Sequence, residues 1–196
     1  MKTIFLFAAF LVTATSFSQK GYKDSIAVYL QNYVQQHGVL KGKDKQGISF
    51  FEVDASYRVV ADFKPAVSAN WIRFKTSGKQ DQVYKVYGTA SFRLKGKTYQ
   101  LNLYQSQDLM TNPQFRNYLF LPFTDATSGK ETYSGGRYID LTTEDVVNKK
   151  LVIDFNKAYN PYCAYVSGIY TCPIPPKENA LAASIKAGEK AFKAAH

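Results

Sequence analysis

Polar side chains that could form a binding or catalytic site are concentrated in two segments of the second half of the chain. The first is FTDATSGKETYSGGRYID at 123–140, and the second is DFNKAYN at 154–160. Short polar residues alone would make the first segment an ordinary turn, but it also carries an arginine and several acids, among them Asp140. With two residues from a later segment, the candidate polar cluster is Asp125, Glu131, Tyr133, Arg137, Asp154, Asn156, Tyr159, Asn160, Glu178 and Asn179.

Three interpretations of this cluster stay open at the level of the sequence. In the first, Arg137 pairs with one of the acids in a structural network that holds two loops together. In the second, Arg137 binds an anionic group of a small ligand, and the carboxylates and amides orient that ligand. In the third, two carboxylates such as Glu131 and Asp154 perform general acid–base chemistry on a glycan, but the sequence does not fix their separation. No catalytic residue is assigned.

The sequence argues against most metal-dependent and cofactor-dependent chemistry. Its two histidines are His37, at the end of a predicted helix, and His196, the last residue. Neither offers the packed imidazole that a catalytic triad needs. Zinc ligands are too few, and no spaced acidic loop indicates calcium. Glycine motifs that bind phosphates or dinucleotides are also missing from the sequence. We therefore expect no metal and no cofactor.

The two cysteines, Cys163 and Cys172, are expected to form a disulfide, because an even count in an exported chain favours oxidation. The alternative is a redox pair, which generally takes the form Cys-x-x-Cys at the start of a helix. Here eight residues and a proline-rich exit separate the cysteines. Closing a loop of this size stabilises the fold by ~2–3 kcal/mol in the chain-entropy model. We predict a structural staple.

The N-terminus has the pattern of a secretory signal peptide. Lys2 is followed by a short apolar run and then by small residues, which places cleavage between Ser18 and Gln19. The apolar run is shorter than the roughly 20 residues that span a bilayer. We predict a signal peptide over 1–18 and a single domain over 19–196, with no transmembrane segment in the mature chain. The protein is expected to be exported, to the periplasm or the extracellular space.

The chain is basic, with 25 Lys and Arg against 15 Asp and Glu and a formal charge of +10. Such a balance favours an acidic partner when the basic residues are clustered. Here the lysines are scattered, and export makes nucleic acid a poor partner. We interpret the charge as a solvated surface, and a polyanion of the cell envelope stays as the alternative.

The segment 24–37 predicts one amphipathic helix, because its apolar residues recur with helical spacing. Asp24 and Ser25 suit its start, and Gly38 suits its end. The apolar stripe, which should pack on the body of the domain, consists of Ile26, Tyr29, Leu30, Tyr33 and Val34.

Beyond this helix the apolar pattern changes to a period of two, which predicts strands with one buried and one wet face. The clearest cases are 57–64 and 83–95, the second followed by a hairpin turn at Lys95-Gly96-Lys97. Further strands are predicted at 48–53, 69–75, 117–123, 137–141 and 150–155. The C-terminus is predicted to be extended over 181–187 and a short helix or a frayed tail over 188–196.

Because consecutive strands follow one another without intervening helices, the fold class is predicted as mainly β. We expect an antiparallel β-sandwich or partly closed barrel with an N-terminal α-helix and a disulfide-stapled C-terminal loop.

Three long motifs resemble a bacterial family known as domain of unknown function 1684. They are FTDATSGKETYSGGRYIDL at 123–141, LVIDFNKAYNPYCAY at 151–165, and TCPIPPKENAL followed by IKAGEK at 171–190. With looser matches at 50–63 and 86–92, the resemblance covers most of the mature chain. It implies no activity, cofactor or catalytic residue. It does imply that the polar residues of the motifs, Glu189 included, lie in one spatial cluster.

The function expected from the sequence is non-catalytic binding of a small ligand or of a cell-envelope component. Two alternatives are retained. One is a hydrolase or lyase that uses carboxylates around Arg137, and the other is a structural or protein-interaction domain.

Overall fold

The computed structural model describes residues 5–68 and 70–194, and side chains from Gln19 onward. Helix α1 runs over Phe5–Gln35, so the predicted N-terminal helix is confirmed, although it ends two residues earlier than expected. The predicted signal peptide falls on residues whose side chains, and for the first four the backbone as well, lie outside this description. It stays a prediction. Within the described part of the chain, no helix is both long and apolar enough to cross a membrane.

Seven antiparallel strands form one curled sheet, a half-barrel, in the order β6-β5-β4-β3-β1-β7, with β2 paired to β3. The mainly β fold is therefore confirmed, in its partly closed barrel form rather than as two stacked sheets. The strands are β1 Arg58–Pro65, β2 Trp71–Phe74, β3 Gln82–Leu94, β4 Lys97–Ser106, β5 Tyr118–Phe123, β6 Arg137–Thr142 and β7 Lys150–Asp154. A four-residue helix, α2 Gln107–Met110, follows β4.

The long strand β3 serves two neighbours in succession. Its first part pairs with β2, and its second part pairs with β1, where Phe63 lies opposite Ala90. Between these parts the register with β4 shifts at Val86 and Gly88. A Cβ added at Gly88 would lie 2.2 Å from Cζ of Phe63. Glycine at this bulge therefore allows the ring of the neighbouring strand to approach the backbone closely.

The two faces of the sheet carry different clusters. One face holds the main hydrophobic core, which includes Ile139 on β6. On the other face Phe120 lies opposite Asp140, and Tyr138 lies one pleat further along β6. Because side chains alternate between the two faces along a strand, Tyr138 and Asp140 point away from the main core. The aromatic cluster on this second face consists of Phe74, Tyr84, Tyr104, Phe120 and Tyr138, with Tyr118 and Tyr159 packed against it.

The disulfide between Cys163 and Cys172 is confirmed, with 6.3 Å between the two Cα atoms. Its loop is tied to the sheet region, because the amide of Ser77 donates to the carbonyl of Cys172 at 2.9 Å. A bridge between Thr76 and Pro173 adds a second tie. The stapled loop is therefore a fixed wall over the second face.

Two local predictions are wrong. The segment 48–53 forms no strand and contributes only an isolated bridge from Phe50 to Glu189. Residues 188–194 form no helix. Gly188 has a φ of +74°, and a Cβ there would lie 2.6 Å from the carbonyl oxygens of Phe155 and Ala158. The C-terminal backbone therefore makes its hydrogen bonds to neighbouring segments instead of to its own next turn. Residues 181–187, which were predicted to be extended, belong to no named strand.

Candidate functional site

Arg137, the central residue of the candidate cluster, is completely buried at the start of β6. Its Nη2 lies 3.3 Å from Oδ1 of Asp125, whose side chain is also fully buried. The same nitrogen donates to the carbonyl of Ile185 at 2.9 Å, while Nη1 donates to the carbonyls of Ala187 and Glu189. Burial lowers the pKa of the guanidinium, and the charge of Asp125 opposes that change. The pair fastens the C-terminal segment to the sheet.

Asp154 and Asn156 meet on one side of the chain, as their alternation predicts, and they bind helix α1. The hydroxyl of Tyr22 lies 2.9 Å from both carboxylate oxygens of Asp154. Asn156 donates to that hydroxyl at 3.0 Å and also pairs with the backbone of Asp54. Burial, followed by the nearby Asp154, raises the pKa of Tyr22. These residues hold the helix against β7 and the turn that follows it.

Asn160 contacts Glu189, a buried carboxylate that the candidate cluster did not include. Glu189 is fully buried and accepts hydrogen bonds from Tyr33 at 3.1 Å and from Tyr165 at 2.6 Å. The backbone amide of Asn160 donates to it at 2.9 Å. Burial raises the pKa of Glu189, and these donors oppose that rise. The sequence signal for this residue was its place in the IKAGEK motif.

The remaining candidates are placed apart from one another. Asn179 is buried, and its side-chain amide donates to the carbonyls of Asn102 and Pro122. Glu131 is exposed and pairs with Lys186 at 3.0 Å, whereas Glu178 is exposed and Tyr133 half-buried. Glu131 and Asp154 thus have separate partners and line no common cavity among the three described here.

Two adjoining cavities lie on the second face of the sheet, and of the ten candidates only Tyr159 lines them. They measure about 480 and 490 Å³ and share Tyr138, Asp140, Tyr159 and Pro173. We call the two together the tyrosine cleft. The first cavity is lined by Tyr29, Tyr33, Gln36, His37, Gly38, Tyr138, Asp140, Tyr159, Pro161, Tyr162, Tyr170, Thr171, Cys172 and Pro173. The second adds Gln82, Tyr84, Leu109, Phe115, Tyr118, Phe120, Leu141 and Thr142.

Asp140 stands where the two cavities meet, and two phenols hold it in place. The hydroxyls of Tyr118 and Tyr159 donate to the same oxygen, Oδ1, at 2.7 and 2.6 Å. Burial is the main cause that raises the pKa of both tyrosines, so they remain donors at neutral pH. The carboxylate itself is exposed, and within the described residues no lysine or arginine pairs with it.

His37 supplies a second polar group to the first cavity. Its Nδ1 accepts a hydrogen bond from the amide of Leu40 at 3.0 Å, so Nε2 carries the proton in the neutral ring. Nε2 is buried and finds no partner among the residues described. Burial, helped by Lys45, lowers the pKa of the imidazole. The ring packs edge-on against Tyr33, Tyr162 and Tyr165.

The floor of the cleft is fixed by backbone pairing. Tyr138 and Tyr159 exchange backbone hydrogen bonds at 2.9 and 3.0 Å, and the hydroxyl of Tyr138 donates to the carbonyl of Pro173. The sheet, the segment after β7 and the stapled loop therefore meet around Tyr138. Sequence reasoning noted Asp140 only as one more acid, because nothing in its spacing identifies the distant tyrosines that surround it.

The fold is thus a curled antiparallel half-barrel, with an N-terminal helix and a stapled loop around an aromatic cleft. A family model described as "Protein of unknown function (DUF1684)" matches residues 43–190, and the chain belongs to this family.

A solution NMR structure of an uncharacterized protein from Haloarcula marismortui is similar, with 27% identity and a TM-score of 0.62. The match covers 91% of this chain and 95% of that one. None of the curated proteins is detectably similar in sequence.

We predict that Arg137→Met lowers the free energy of unfolding by about 3–5 kcal/mol, because it leaves the carboxylate of Asp125 buried without its partner. The matched control is Lys150→Met, which removes the cation of the exposed pair with Asp62. That change is expected to cost no more than about 1 kcal/mol. Urea unfolding of both variants measures the difference, and equal losses would contradict a special role for the buried pair.

The raised pKa of Glu189 predicts a pH-dependent stability. Because the folded state favours the protonated carboxyl, the stabilisation that this proton provides is present below the ordinary value of 4.5 and is lost as the pH rises through the folded pKa. Glu189→Gln does not titrate. Its free energy of unfolding, relative to the natural chain, should therefore increase as the pH is raised above 4.5.

Urea unfolding at a series of pH values tests this expectation. The control is Glu131→Gln at the exposed pair with Lys186, which should change stability by less than about 1 kcal/mol at every pH. A difference between Glu189→Gln and the natural chain that stays constant with pH would refute the assignment.

Proposed function

We propose that this protein is an exported binding protein that holds a small organic ligand in the tyrosine cleft without covalent chemistry. The observation that carries the proposal is the meeting of two cavities at Asp140, whose position is set by Tyr118 and Tyr159. Cavities of several hundred Å³ with mainly aromatic walls and a few fixed polar groups are typical of small-molecule sites.

The groups needed for hydrolysis do not come together in this cleft. A glycoside hydrolase of the usual kind places two carboxyl groups on either side of the bond that it cleaves. Asp140 is the one carboxylate among the residues that line the two cavities. His37 is the one imidazole that the described residues bring there, and its Nδ1 accepts a hydrogen bond from the amide of Leu40. This inventory favours binding over the hydrolase or lyase alternative.

The residues around Arg137 fit the structural interpretation better than the binding one. The guanidinium is surrounded by Asp125 and three backbone carbonyls, and its side chain has no exposed surface. An anionic ligand would have to displace those partners. We therefore assign Arg137, Asp125 and Glu189 to the fastening of the C-terminal segment, which forms part of the support of the cleft.

Export is the second part of the proposal, supported by the signal-peptide pattern before Gln19 and by the disulfide between Cys163 and Cys172. Intact-mass analysis of the protein recovered from the cell envelope or the medium is expected to give a chain that begins at Gln19 and contains no free thiol. Recovery of a chain that begins at Met1 with two free thiols would contradict export.

Binding in the cleft is tested by NMR titration of the ¹⁵N-labelled mature protein with a library of small fragments. We expect the amide shifts to concentrate at cleft residues such as Gly38, Thr171 and Thr142. Shifts confined to the separate groove of about 840 Å³ around Ser56 and Tyr57 would place the site elsewhere. A library without any hit in the cleft would overturn the proposal.

Paired tryptophan variants serve as the control for this titration. Gln36 is exposed and lines the first cavity, so Gln36→Trp should fill it and remove the shifts. Gln31 is equally exposed on α1 but does not line the cleft, so Gln31→Trp should leave them unchanged. Equal effects of the two variants would count against the cleft.

A further inference from the structure

The charge of the tyrosine cleft is opposite to that of the chain as a whole. The protein carries 25 basic and 15 acidic residues, yet none of the lysines and arginines that the structure describes lines either cavity. Among the described lining residues Asp140 supplies the one formal charge, since the lowered pKa of His37 keeps that ring neutral at neutral pH. An anion bound here would meet a carboxylate and no countercharge, which disfavours anionic ligands.

Asp140 keeps its charge available to a ligand. Its two hydrogen-bond donors, Tyr118 and Tyr159, are neutral phenols that share Oδ1. Among the residues described, none donates to Oδ2, and the side chain remains exposed. Elsewhere on this basic surface exposed carboxylates do form ion pairs with lysines, as Asp62 does with Lys150. Asp140 is therefore an oriented carboxylate without a cationic partner.

The surrounding rings add to the attraction for a cation. Six tyrosines line the first cavity, and the face of each aromatic ring carries negative electrostatic potential. A cation within about 6 Å of such a ring is attracted to its face, and the attraction is stronger where water is excluded. Combined with a carboxylate, this surface is suited to an ammonium group on a small organic molecule.

A lysine already occupies one edge of this aromatic surface. Nζ of Lys157 lies 5.0 Å from the centre of the Tyr29 ring, although Lys157 does not line either cavity. Its charge would oppose a second cation on that ring. The favourable position for an ammonium group is therefore beside Asp140 and Tyr159 and not on the ring of Tyr29. The net charge of the rest of the protein acts weakly there, because salt screens charges beyond about 8 Å at physiological ionic strength.

We propose that the tyrosine cleft binds an organic cation, a primary or quaternary ammonium compound, with the charged nitrogen against Asp140. This assignment rests on the function proposed above and names its ligand class. Asp140 provides the ion pair, Tyr118 and Tyr159 orient that carboxylate, and the remaining tyrosines enclose the methylene or methyl groups.

The test is a calorimetric and NMR titration of the mature protein with four probes. Choline and ethanolamine carry the charge in quaternary and primary form, and 3,3-dimethylbutan-1-ol is the neutral isostere of choline. Glucose represents a neutral polyhydroxyl ligand. We expect at least one of the two cations to shift the cleft amides, and the neutral isostere to bind about tenfold more weakly than choline or not at all.

Asp140→Asn keeps the shape of the side chain and removes its charge, so it should weaken cation binding about tenfold or more. The matched control is Asp62→Asn, an exposed strand aspartate outside the cleft, which changes the net charge equally and should leave affinity within about twofold. Thermal unfolding of both variants shows whether either has lost its fold. Tyr159→Phe is a second variant: it keeps the ring but removes one of the two hydrogen bonds that orient the Asp140 carboxylate.

Each outcome separates the ligand class from the site. Equal binding of choline and its neutral isostere, or binding of glucose alone, would overturn the cation assignment and leave the cleft as the site. If fragments bind in the cleft but neither choline nor ethanolamine binds, the cation assignment is likewise overturned and the cleft remains the site. If none of the four probes and no fragment of the library shifts the cleft amides, the proposed function itself is overturned.

Discussion

The contact between Arg137 and Asp125 is the constraint around which the second half of the molecule is arranged. Both side chains are completely buried, and Nη1 and Nη2 of the guanidinium donate to three carbonyls of the C-terminal segment. Nε is buried and has no partner among the residues described. Taking such a charge out of water is costly, so the pair is tolerated only where its partners are in place. The irregular segment 185–189 is thereby held at a defined position without belonging to the sheet.

Strand β6 connects this buried pair to the cleft. Arg137 and Ile139 point to the core side, while Tyr138 and Asp140 point to the aromatic side. The C-terminal segment that Arg137 holds also carries Glu189, whose carboxylate binds Tyr33 of helix α1 and Tyr165 of the stapled loop. The helix and the loop that enclose the first cavity are thus tied to the same segment.

The sequence was informative where local periodicity decides the structure and uninformative where distant segments meet. The alternation of apolar and polar residues predicted β1, β3 and β4, with the hairpin between β3 and β4. Helical spacing of apolar residues predicted α1. In each case a burial pattern repeats along the chain. The strand expected at 48–53 failed because the backbone there pairs with the C-terminal segment at 188–190 and with no named strand. The C-terminal helix failed because the Arg137 contacts and the close backbone at Gly188 override the helix propensity of alanine and lysine.

The cleft could not be predicted for a related reason. Its tyrosines come from α1, three strands of the sheet, the segment after β7 and the stapled loop, and in each segment a tyrosine is also what a half-buried surface would carry. The polar residues were easier to identify from the sequence, but their ion-pair partners were not. Spacing alone does not distinguish Asp125 from Glu131 as the partner of Arg137, and burial decides the matter: one acid is enclosed while the other is exposed.

The alternation on β6 also protects the fold against error. A slip of this strand by one residue would turn every side chain to the opposite face. Arg137 would then point among the aromatic rings, and Tyr138 would point toward the place of the ion pair, leaving Asp125 buried alone. Such a chain would forfeit several kcal/mol of stability at once. The buried pair therefore stabilises the observed register of β6 over a register that is shifted by one residue.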